Sequence, residues 1–431
     1  MVLVLSKKVS GGGNNIIRRI FMESPNKRKL AHVEQVVDIE QIPNYDRVEY
    51  VSVLGWKVIQ AKDTVKVGDK VVYIEIDSQT PPTEPFAFLE NKKYRVRSLK
   101  MCGVISQGLI MTFDSLGLNP DKYEIGDDMT KVLGITKIET QEEKDLIKAE
   151  KVNQNSILTS IRNRHKKAFA QKWFKKMLQK QWFKRFIIAI WGRKKDKPRQ
   201  FPHFIVKTDE IRIENMPGIL ADKEHLYIVT EKIDGTSTTF AVRRKKFGGY
   251  EFIVCSRNVR QADLDQETYW SEKGSGNVYW DMAKKYNIKN VLIDIAKKYN
   301  QEVVILQGET IGSVQGNPYK LKENEFYGYN LIFTNVVKSF YNKFDPIQAR
   351  AMVAGYNINW VPILDDNFRL PDTIEEMKIM AEGKSKINPA VQREGIVYRS
   401  HLLKNKDYIS FKNVSNSFLL KKGRAEEKAG E

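Results

Sequence analysis

The stretch EKIDGTS at residues 231–237 places a lysine, Lys232, two residues before an Asp-Gly pair. Apolar residues precede this stretch and β-branched residues follow it, so it joins two predicted strands. Asp-Gly between strands is a strong signal for a two-residue hairpin, which would leave Lys232 on a surface turn. The alternative is a lysine nucleophile at the edge of a binding pocket, where it would react as the uncharged amine.

The composition excludes several classes of protein. A chain of 431 residues with 41% hydrophobic residues suits two or three globular domains. Its two cysteines, Cys102 and Cys255, are too few for a disulfide framework or a zinc cluster, which favours a reducing compartment. The longest apolar run, FIIAIW at 186–191, is too short to cross a bilayer, and the N-terminus lacks a secretory pattern. We therefore expect an intracellular protein, cytoplasmic or nuclear, that is not secreted, has no membrane partner and is a monomer.

The positive charge is concentrated in one block. The chain has a net charge of +19, and residues 148–200 contain 17 Lys or Arg against two acids. The remainder of the chain is close to neutral, so the charge indicates a binding region and does not serve general solubility. A polyanion is the expected partner, and nucleic acid is the first choice.

The N-terminal third has the texture of a small β-barrel. Residues 1–28 contain GGGNN and SPNKRK and are predicted to be a flexible arm. Residues 29–135 contain short β-branched runs separated by PNYD, KVGD and DSLG. This pattern predicts a five-stranded barrel of the oligonucleotide-binding (OB) type, although a generic barrel without a nucleic-acid role fits the same pattern.

Residues 136–200 are predicted to be a basic amphipathic helical linker. No Gly or Pro occurs from Thr159 to Trp191, and apolar residues recur at helical spacing between lysines and arginines. The predicted apolar positions are Phe169, Trp173, Met177, Phe183, Phe186, Ile187 and Ile190. Such a helix could dock on a domain and offer its basic face to nucleic acid, lie on a membrane surface, or act as a solvated linker; we favour the first.

The C-terminal half predicts a larger antiparallel β domain with helices at residues 201–423, followed by a charged tail at 424–431. Together with the barrel this makes an α+β protein. Polar residues interrupt its strands in a fixed order, at points where a packed strand should be apolar. In chain order these residues are Lys232 with Asp234 and Gly235, Arg257 in CSRN, Glu309 in LQGETIG, Tyr329 in EFYGYNLIF, Glu394 in QREGIVYRS and Lys412 in YISFKNV.

Each of these residues has a plain structural explanation when it is taken alone. Glu309 and Lys412 could form a buried ion pair, Glu394 could be a strand-edge carboxylate, and Arg257 could lie on the surface. The ordered set within one domain favours a shared site. Lys412 within an apolar strand needs an anionic partner, which could be a protein acid or a ligand phosphate.

This ordered set of motifs resembles the covalent nucleotidyltransferases, the superfamily of polynucleotide ligases and mRNA capping enzymes. The match covers residues 201–420. The stretches FPHFIVKTDEIRIENMP and VLGWKVIQAKDTVKVGDKVVYIEIDS narrow the resemblance to RNA ligases of the Deinococcus/Naegleria type, which carry an OB domain before the nucleotidyltransferase domain. Only 19 residues follow Lys412, too few for the C-terminal barrel that DNA ligases and capping enzymes place there.

The resemblance implies a fold, cofactors and roles. The C-terminal domain would consist of antiparallel sheets with helices, similar to the ATP-grasp arrangement, and would use ATP with Mg²⁺ or Mn²⁺. Lys232 would carry AMP covalently, and Lys412 would neutralise the α-phosphate. Glu231, Gly235, Arg257 and Tyr329 would bind the nucleotide, with Tyr329 stacking on the base. Asp234, Glu309 and Glu394 would organise the metal ion, directly or through water.

The resemblance further implies a partner RNA with 3′-hydroxyl and 5′-phosphate ends, duplex or nicked, which the enzyme would join through a lysyl-AMP intermediate. Two departures from the family pattern stand out. Asn330 replaces an acid that many relatives have after the aromatic motif, and a second lysine near Lys412 would have to come from Lys404, Lys406 or Lys421. Two rival functions are a capping-type guanylyltransferase and a catalytically inactive RNA-binding protein.

Overall fold

The computed structural model describes residues 28–138, 162, 165–180, 182–183, 186–187, 199–261, 263–264, 275–338, 340–401 and 409–428. The predicted arm up to residue 27, Lys404, Lys406, Ile190 and residues 429–431 lie outside the described residues. By its contacts the chain divides into two units, Met1–Thr136 with Gln200–Glu431, and Lys137–Arg199. We refer to Lys137–Arg199 as the basic segment.

The N-terminal part of the first unit is a nearly closed β-barrel, the predicted fold. Its strands are β1 (Ala31–Gln41), β2 (Val48–Val53), β3 (Trp56–Ala61), β4 (Lys70–Ile74), β5 (Ser78–Gln79), β6 (Arg95–Val96), β7 (Ser98–Met101), β8 (Val104–Gln107) and β9 (Leu109–Met111). We call residues 28–136 the barrel domain. A 3₁₀ helix, Glu84–Lys92, covers part of its core.

The long strand β1 allows the sheet to curve into a barrel. Its first half, Ala31 to Gln35, pairs with β4, and its second half, from Val36 to Gln41, pairs with β2. The register shifts between Val36 and Asp38, and such an irregularity bends a strand and increases its twist. The resulting sheet has the order β3-β2-β1-β4-β9.

The remaining strands belong mainly to the C-terminal domain, which we define as residues 200–428. Their bounds are β10 (Thr136–Lys137), β11 (Arg199–Gln200), β12 (Ile211–Arg212), β13 (Tyr227–Lys232), β14 (Thr236–Arg244), β15 (Tyr250–Cys255), β16 (Val259–Arg260), β17 (Val303–Ile311), β18 (Glu325–Thr334), β19 (Tyr341–Lys343), β20 (Asn359–Trp360), β21 (Ile363–Phe368), β22 (Gly395–Ser400) and β23 (Ser410–Val414).

Seven α-helices have both ends within the described residues, and residues 162, 182–183 and 186–187 of the basic segment are also helical. The seven helices are α1 (Lys166–Ala170), α2 (Lys172–Met177), α3 (Val278–Lys285), α4 (Ile288–Lys298), α5 (Pro346–Val353), α6 (Ile374–Ala381) and α7 (Asn416–Lys428). Helix α7 extends into residues 424–428, which were predicted to be an unpacked tail.

Two sheets build the C-terminal domain. The larger contains the order β16-β15-β14-β17-β18-β19, and helices α3, α4 and α5 cover one of its faces. Phe204 and Ile205 pack on the other face, which explains why β17 is apolar on both sides and shows no alternation. The second sheet has the order β12-β23-β22-β13-β21 and packs against α6.

Polar contacts join the barrel domain to the second sheet. The indole N–H of Trp56 donates to the Asn215 side chain, whose amide donates in turn to the buried carboxylate of Glu75. The guanidinium of Arg212, on β12, lies 3.0 Å from the Asp77 carboxylate. The barrel therefore contacts the strand that neighbours β23, where Lys412 lies.

The basic segment departs from the single helix that its sequence allowed. Helix α1 ends at Ala170, and Gln171 has an extended backbone before α2 begins. This break rotates α2, so that Phe174 is buried and Trp173, a predicted core position, is 62% exposed. Phe169, Phe183 and Ile187 are buried as predicted, whereas Phe186 is exposed. None of the described helices is both long enough and apolar enough to span a bilayer.

A buried charge network lies inside the barrel domain. His32 Nδ1 donates to Glu34 at 2.7 Å, its Nε2 lies 3.6 Å from Glu75, and Arg28 also donates to Glu75. Burial alone would lower the pKa of His32, but the hydrogen bonds and charges of the two glutamates outweigh it and raise the pKa from 6.5 to about 9. Burial would raise the pKa of Glu75, but His32 and Arg28 lower it to about 2.

These pKa shifts predict how stability depends on pH. The contribution of His32 is complete below pH 6.5 and is lost as the pH rises towards 9, a loss of about 3 kcal/mol. The contribution of Glu75 is lost as the pH falls from 4.5 towards 2. In thermal melts, the stability of His32→Gln should decline much less between pH 6.5 and 9 than the stability of the wild-type protein. His203→Gln, an exposed histidine, is the matched control, and a decline unchanged in His32→Gln would contradict the assignment.

Candidate active site

The stretch EKIDGTS carries the chain from one sheet to the other. Strand β13, which ends at Lys232, pairs with β21 and β22, whereas β14, which begins at Thr236, pairs with β15 and β17. The two strands are not partners, so the hairpin interpretation is wrong. The Asp234 N–H donates to the Tyr319 hydroxyl at 2.8 Å, which fixes the crossing. Lys232 thus ends a strand at the junction of the two sheets.

Gly235 is where the crossing touches the large sheet. A Cβ at this position would lie 2.4 Å from the Thr310 carbonyl oxygen and 3.0 Å from the Glu309 Cγ. The structure thus gives a packing reason for glycine here, in addition to the predicted approach of a phosphate. Close contact between the crossing and β17 brings Glu309 to the same junction as Lys232.

Lys232 pairs with Glu394. Its Nζ lies 2.6 Å from the Glu394 Oε1, and the two side chains are 25% and 13% exposed. Antiparallel pairing sets this distance, because Lys232 stands opposite Gly395, the first residue of β22. The pair is partly open to solvent and can therefore receive a ligand.

Glu309 and Asp234 complete a group of carboxylates around this pair. Burial, with the nearby Glu394 and Asp234 carboxylates, raises the pKa of Glu309 to about 8. Burial and Glu394 raise the pKa of Asp234 to about 6. Like charges are therefore held close together at a cost that a cation would relieve.

The carboxylates fit a hydrated metal ion better than a closed protein cage. Within the described ranges, no three His, Cys, Asp or Glu side chains converge as direct ligands of one ion. Asp234, Glu309 and Glu394 nonetheless interact electrostatically with one another. Mg²⁺ retains several of its waters and needs few protein oxygens, so an ion held partly through water is compatible with this arrangement.

Lys412 lies on β23 and forms no salt bridge with a described residue, so the alternative of a Glu309–Lys412 ion pair is not realised. The carboxylates of Asp77, Asp209 and Glu210 lie within electrostatic range of its amine. Burial, followed by the charges of Arg212 and Lys232, lowers the pKa of Lys412 to about 7. A bound anion would therefore favour the protonated form of this amine.

Arg212 is a residue that the sequence reasoning missed. It stands opposite Lys412 in the parallel pairing of β12 with β23, and its side chain is 8% exposed. Its ion pair with Asp77 of the barrel domain places a third charged group beside Lys412 and Lys232. The only local signal was an arginine in the otherwise apolar run IRI.

Glu231 is nearly inaccessible, and one of its oxygens lacks a partner. Its Oε2 accepts a hydrogen bond from the Lys386 N–H at 2.7 Å, while its Oε1 is buried without a hydrogen bond. Burial raises the pKa of this carboxyl group. The hydroxyl of Tyr327 is within electrostatic range of it. Such an orphaned acceptor is a site for a ligand N–H.

Tyr329 and Arg257, the predicted aromatic and arginine residues of the site, both interact electrostatically with Glu309. Tyr329 occupies the register shift between β17 and β18, its hydroxyl lies 3.4 Å from that of Ser237, and the Arg399 guanidinium lies 5.9 Å from its ring. Arg257 is held by an ion pair with Asp209. The stacking role predicted for Tyr329 stays a prediction, and Tyr327, which interacts electrostatically with Glu231, was missed.

Two departures noted in the sequence have structural counterparts. Asn330 is buried and donates to Gln307 Oε1 at 2.9 Å, and Gln307 donates in turn to the Val206 carbonyl. An amide relay therefore stands at the position where the resemblance led us to expect an acid. Lys421 and Lys422 on α7 lie within electrostatic range of Asp234, so α7 can supply further cations.

Replacing Gly235 tests the packing of the junction. Gly235→Ala should lower stability by about 1–3 kcal/mol, because the backbone oxygen of Thr310 cannot move aside cheaply. Urea unfolding measures the change. Gly355→Ala is the matched control, since a Cβ there meets nothing within 4 Å. Equal stability of the two variants would show that the junction tolerates a side chain.

Comparison with known proteins yields two domain matches. An OB-fold domain model matches residues 30–113, and an RNA ligase model matches residues 225–414. A search of curated proteins found no match.

Solved structures of a Naegleria gruberi RNA ligase are similar to most of the chain. The complex with PPi has 28% sequence identity and a TM-score of 0.67, and the match covers 92% of this chain and 99% of that one. Two variants of that ligase, one with AMP and Mn and one with ATP and Mn, have 27% identity and TM-scores of 0.66. Each of these matches covers 92% of this chain and 100% of the variant. The chain therefore contains one stretch similar to an OB-fold domain and a second stretch similar to an RNA ligase domain.

Proposed function

We propose that this chain is an ATP-dependent RNA ligase that joins 3′-hydroxyl and 5′-phosphate RNA ends, including ends at nicks in duplexes, through a lysyl-AMP intermediate. The observation that carries the proposal is the Lys232–Glu394 pair at 2.6 Å, with Glu309 and Lys412 at the same sheet junction. The RNA ligase domain match and the ATP, AMP and PPi complexes of the Naegleria ligase support it.

In the first step the Lys232 amine, after losing its proton, attacks the α-phosphorus of ATP. An N–P bond forms, the bond to the β-phosphate oxygen breaks, and pyrophosphate leaves with its electrons. Glu394 holds the amine at the junction beforehand, so the nucleophile is positioned by the β13–β22 pairing rather than by a mobile loop.

Asp234, Glu309 and Glu394 are the residues that would hold Mg²⁺ or Mn²⁺, in part through water. When bound, the ion would neutralise charge on the phosphates and compete with Lys232 for the Glu394 carboxylate, which favours the uncharged amine. The raised pKa values of Glu309 and Asp234 reflect burial first and then repulsion among the carboxylates, and the ion would relieve that repulsion.

Lys412 supplies positive charge for the α-phosphate. Charge develops on the non-bridging oxygens during adenylyl transfer, and a cation positioned in advance stabilises that charge without reorganisation. The unpaired amine of Lys412 and its lowered pKa are what a phosphate-binding lysine would show before its anion arrives. Arg212 would add to this field from the neighbouring strand.

Glu231 would contact the base of the nucleotide. Its buried Oε1 can accept a hydrogen bond from the exocyclic amino group of adenine. The complexes of the Naegleria ligase with ATP and with AMP support ATP as the nucleotide. Arg257 and Tyr329 would hold the remainder of the nucleotide.

The later steps move AMP and then release it. An oxygen of the RNA 5′-phosphate attacks the phosphorus of lysyl-AMP, the N–P bond breaks, and Lys232 regains a proton. The 3′-hydroxyl then attacks the 5′-phosphorus and AMP departs. We assign nucleotide chemistry to residues 201–423 and backbone contact with the RNA to the barrel at 29–135. The arm (1–28), linker (136–200) and tail (424–431) lie outside this chemistry.

A covalent adduct at Lys232 is the direct test. Intact-mass analysis after incubation with ATP and Mg²⁺ should show one AMP, mapped to Lys232. Lys232→Ala should lose sealing of 5′-phosphate RNA but retain measurable sealing of pre-adenylylated RNA, because only the first step needs the amine. Lys246→Ala, an exposed lysine on a turn, is the control.

Each rival predicts a different result in that experiment. An adduct formed only from GTP would indicate a guanylyltransferase, and no adduct from either nucleotide would indicate an inactive RNA-binding protein. Equal loss of both sealing reactions in Lys232→Ala would make the lysine structural.

The protonation of Lys412 gives a second test. At pH 8 its amine is mostly neutral, since its pKa is about 7, and a bound phosphate should recharge it. Calorimetric binding of AMP in two buffers of different ionisation enthalpy should show uptake of up to about one proton at pH 8 and little at pH 6. Lys412→Arg, whose guanidinium is already charged, should abolish the uptake. Equal uptake by both proteins would remove Lys412 from the phosphate site.

A further inference from the structure

The basic segment has a charge pattern suited to a polyanion. From Lys151 to Lys195 the sequence contains no Asp or Glu, whereas lysines and arginines recur throughout. It lies outside both domain matches, which cover residues 30–113 and 225–414. Its function is therefore not explained by either domain.

Four apolar side chains among the described residues of the segment form a small core of their own. Phe169, Phe174, Phe183 and Ile187 are buried together, with ring centroids 5.0 Å apart for Phe169–Phe174 and 5.3 Å apart for Phe174–Phe183. An amphipathic helix that binds a membrane would instead present this face outward. These four apolar side chains therefore pack against one another and do not form an exposed membrane-binding face.

Two tryptophans among the described residues of the segment lie outside this core. Trp173 is 62% exposed and Trp182 is 58% exposed. Each contacts a buried phenylalanine at a near-perpendicular angle: Trp173 lies 5.4 Å from Phe174, and Trp182 lies 5.6 Å from Phe183. These contacts restrain the indoles while leaving much of their surface free.

The two tryptophans belong to a short repeat. KWFKKM at 172–177 and QWFKRF at 181–186 place Trp, Phe and Lys in the same order nine residues apart. In each copy the phenylalanine is in the core and the tryptophan is exposed. The segment therefore presents the same unit twice, an exposed indole next to cationic residues.

We propose that the basic segment binds single-stranded RNA, with Trp173 and Trp182 as stacking platforms for unpaired bases and the surrounding lysines as phosphate contacts. Exposed aromatic rings between cations are the combination that binds single strands, because every base has a face on which to stack. A duplex offers its phosphates but not its base faces. The choice of RNA as the strand rests on the proposed ligase function.

Binding by the full-length protein tests the proposal. Trp173→Ala with Trp182→Ala should weaken binding of a labelled single-stranded RNA by a factor of roughly thirty or more, and binding of a duplex of equal length much less. Trp173→Phe with Trp182→Phe should keep most of the affinity, because a ring remains. Phe247→Ala, fully exposed on a turn of the C-terminal domain, is the matched control and should change nothing.

The cationic part of the proposal has its own measurement. Lys176→Gln and Lys180→Gln should each reduce the slope of log K against log salt by about 0.7 for single-stranded RNA. Both lysines are exposed, so the small core should be unaffected.

Three results would overturn the proposal. One is equal loss of single-strand and duplex binding in the alanine variant, which would indicate a general structural effect. Another is unchanged binding in that variant. The third is tryptophan-dependent binding to anionic lipid vesicles without any effect on RNA. Lys232 adduct formation, measured without RNA on the wild-type protein, tests the ligase function separately.

Discussion

The crossing of the chain between two sheets at residues 232–236 is the constraint on which the rest of the candidate site depends. One end of the crossing is fixed by the pairing of β13 with β22, which sets Lys232 opposite Gly395 and next to Glu394. The other end is fixed by the contact of Gly235 with β17, which brings Glu309 to the junction. Backbone pairing therefore holds the reactive groups, and their side chains need little freedom to meet.

The barrel domain adds to this arrangement through the edge of the second sheet. Asp77 neutralises part of the charge of Arg212, which stands beside Lys412. Trp56 and Glu75 of the barrel form hydrogen bonds with Asn215, which lies three residues after Arg212. A concentration of positive charge at the proposed phosphate site is costly in the absence of phosphate. The carboxylate from the barrel lowers that cost while leaving the amine of Lys412 unpaired.

Local pattern was enough to predict most strands, the barrel and the ordered polar residues, because alternation and interrupted apolar runs are properties of neighbouring residues. The hairpin alternative could not be excluded in that way, since Asp-Gly favours a turn whichever strands flank it. Arg212 was missed because its importance comes from pairing with a strand 200 residues away. Trp173 was assigned to the wrong face because the break at Gln171 changes the helical phase, and no Gly or Pro announces that break.

The hydrogen bonds from Trp56 and Glu75 to Asn215 have a consequence for how such enzymes can be recombined. The two halves are separated by a long insertion in the sequence, yet they share one polar seam in three dimensions. A chimera that exchanges the barrel for another OB fold would keep both hydrophobic cores and still lose the seam unless Trp56, Glu75 and Asp77 were transplanted with it. Three side chains of the barrel, and not the length of the connection, therefore determine which barrels can be joined to this C-terminal domain.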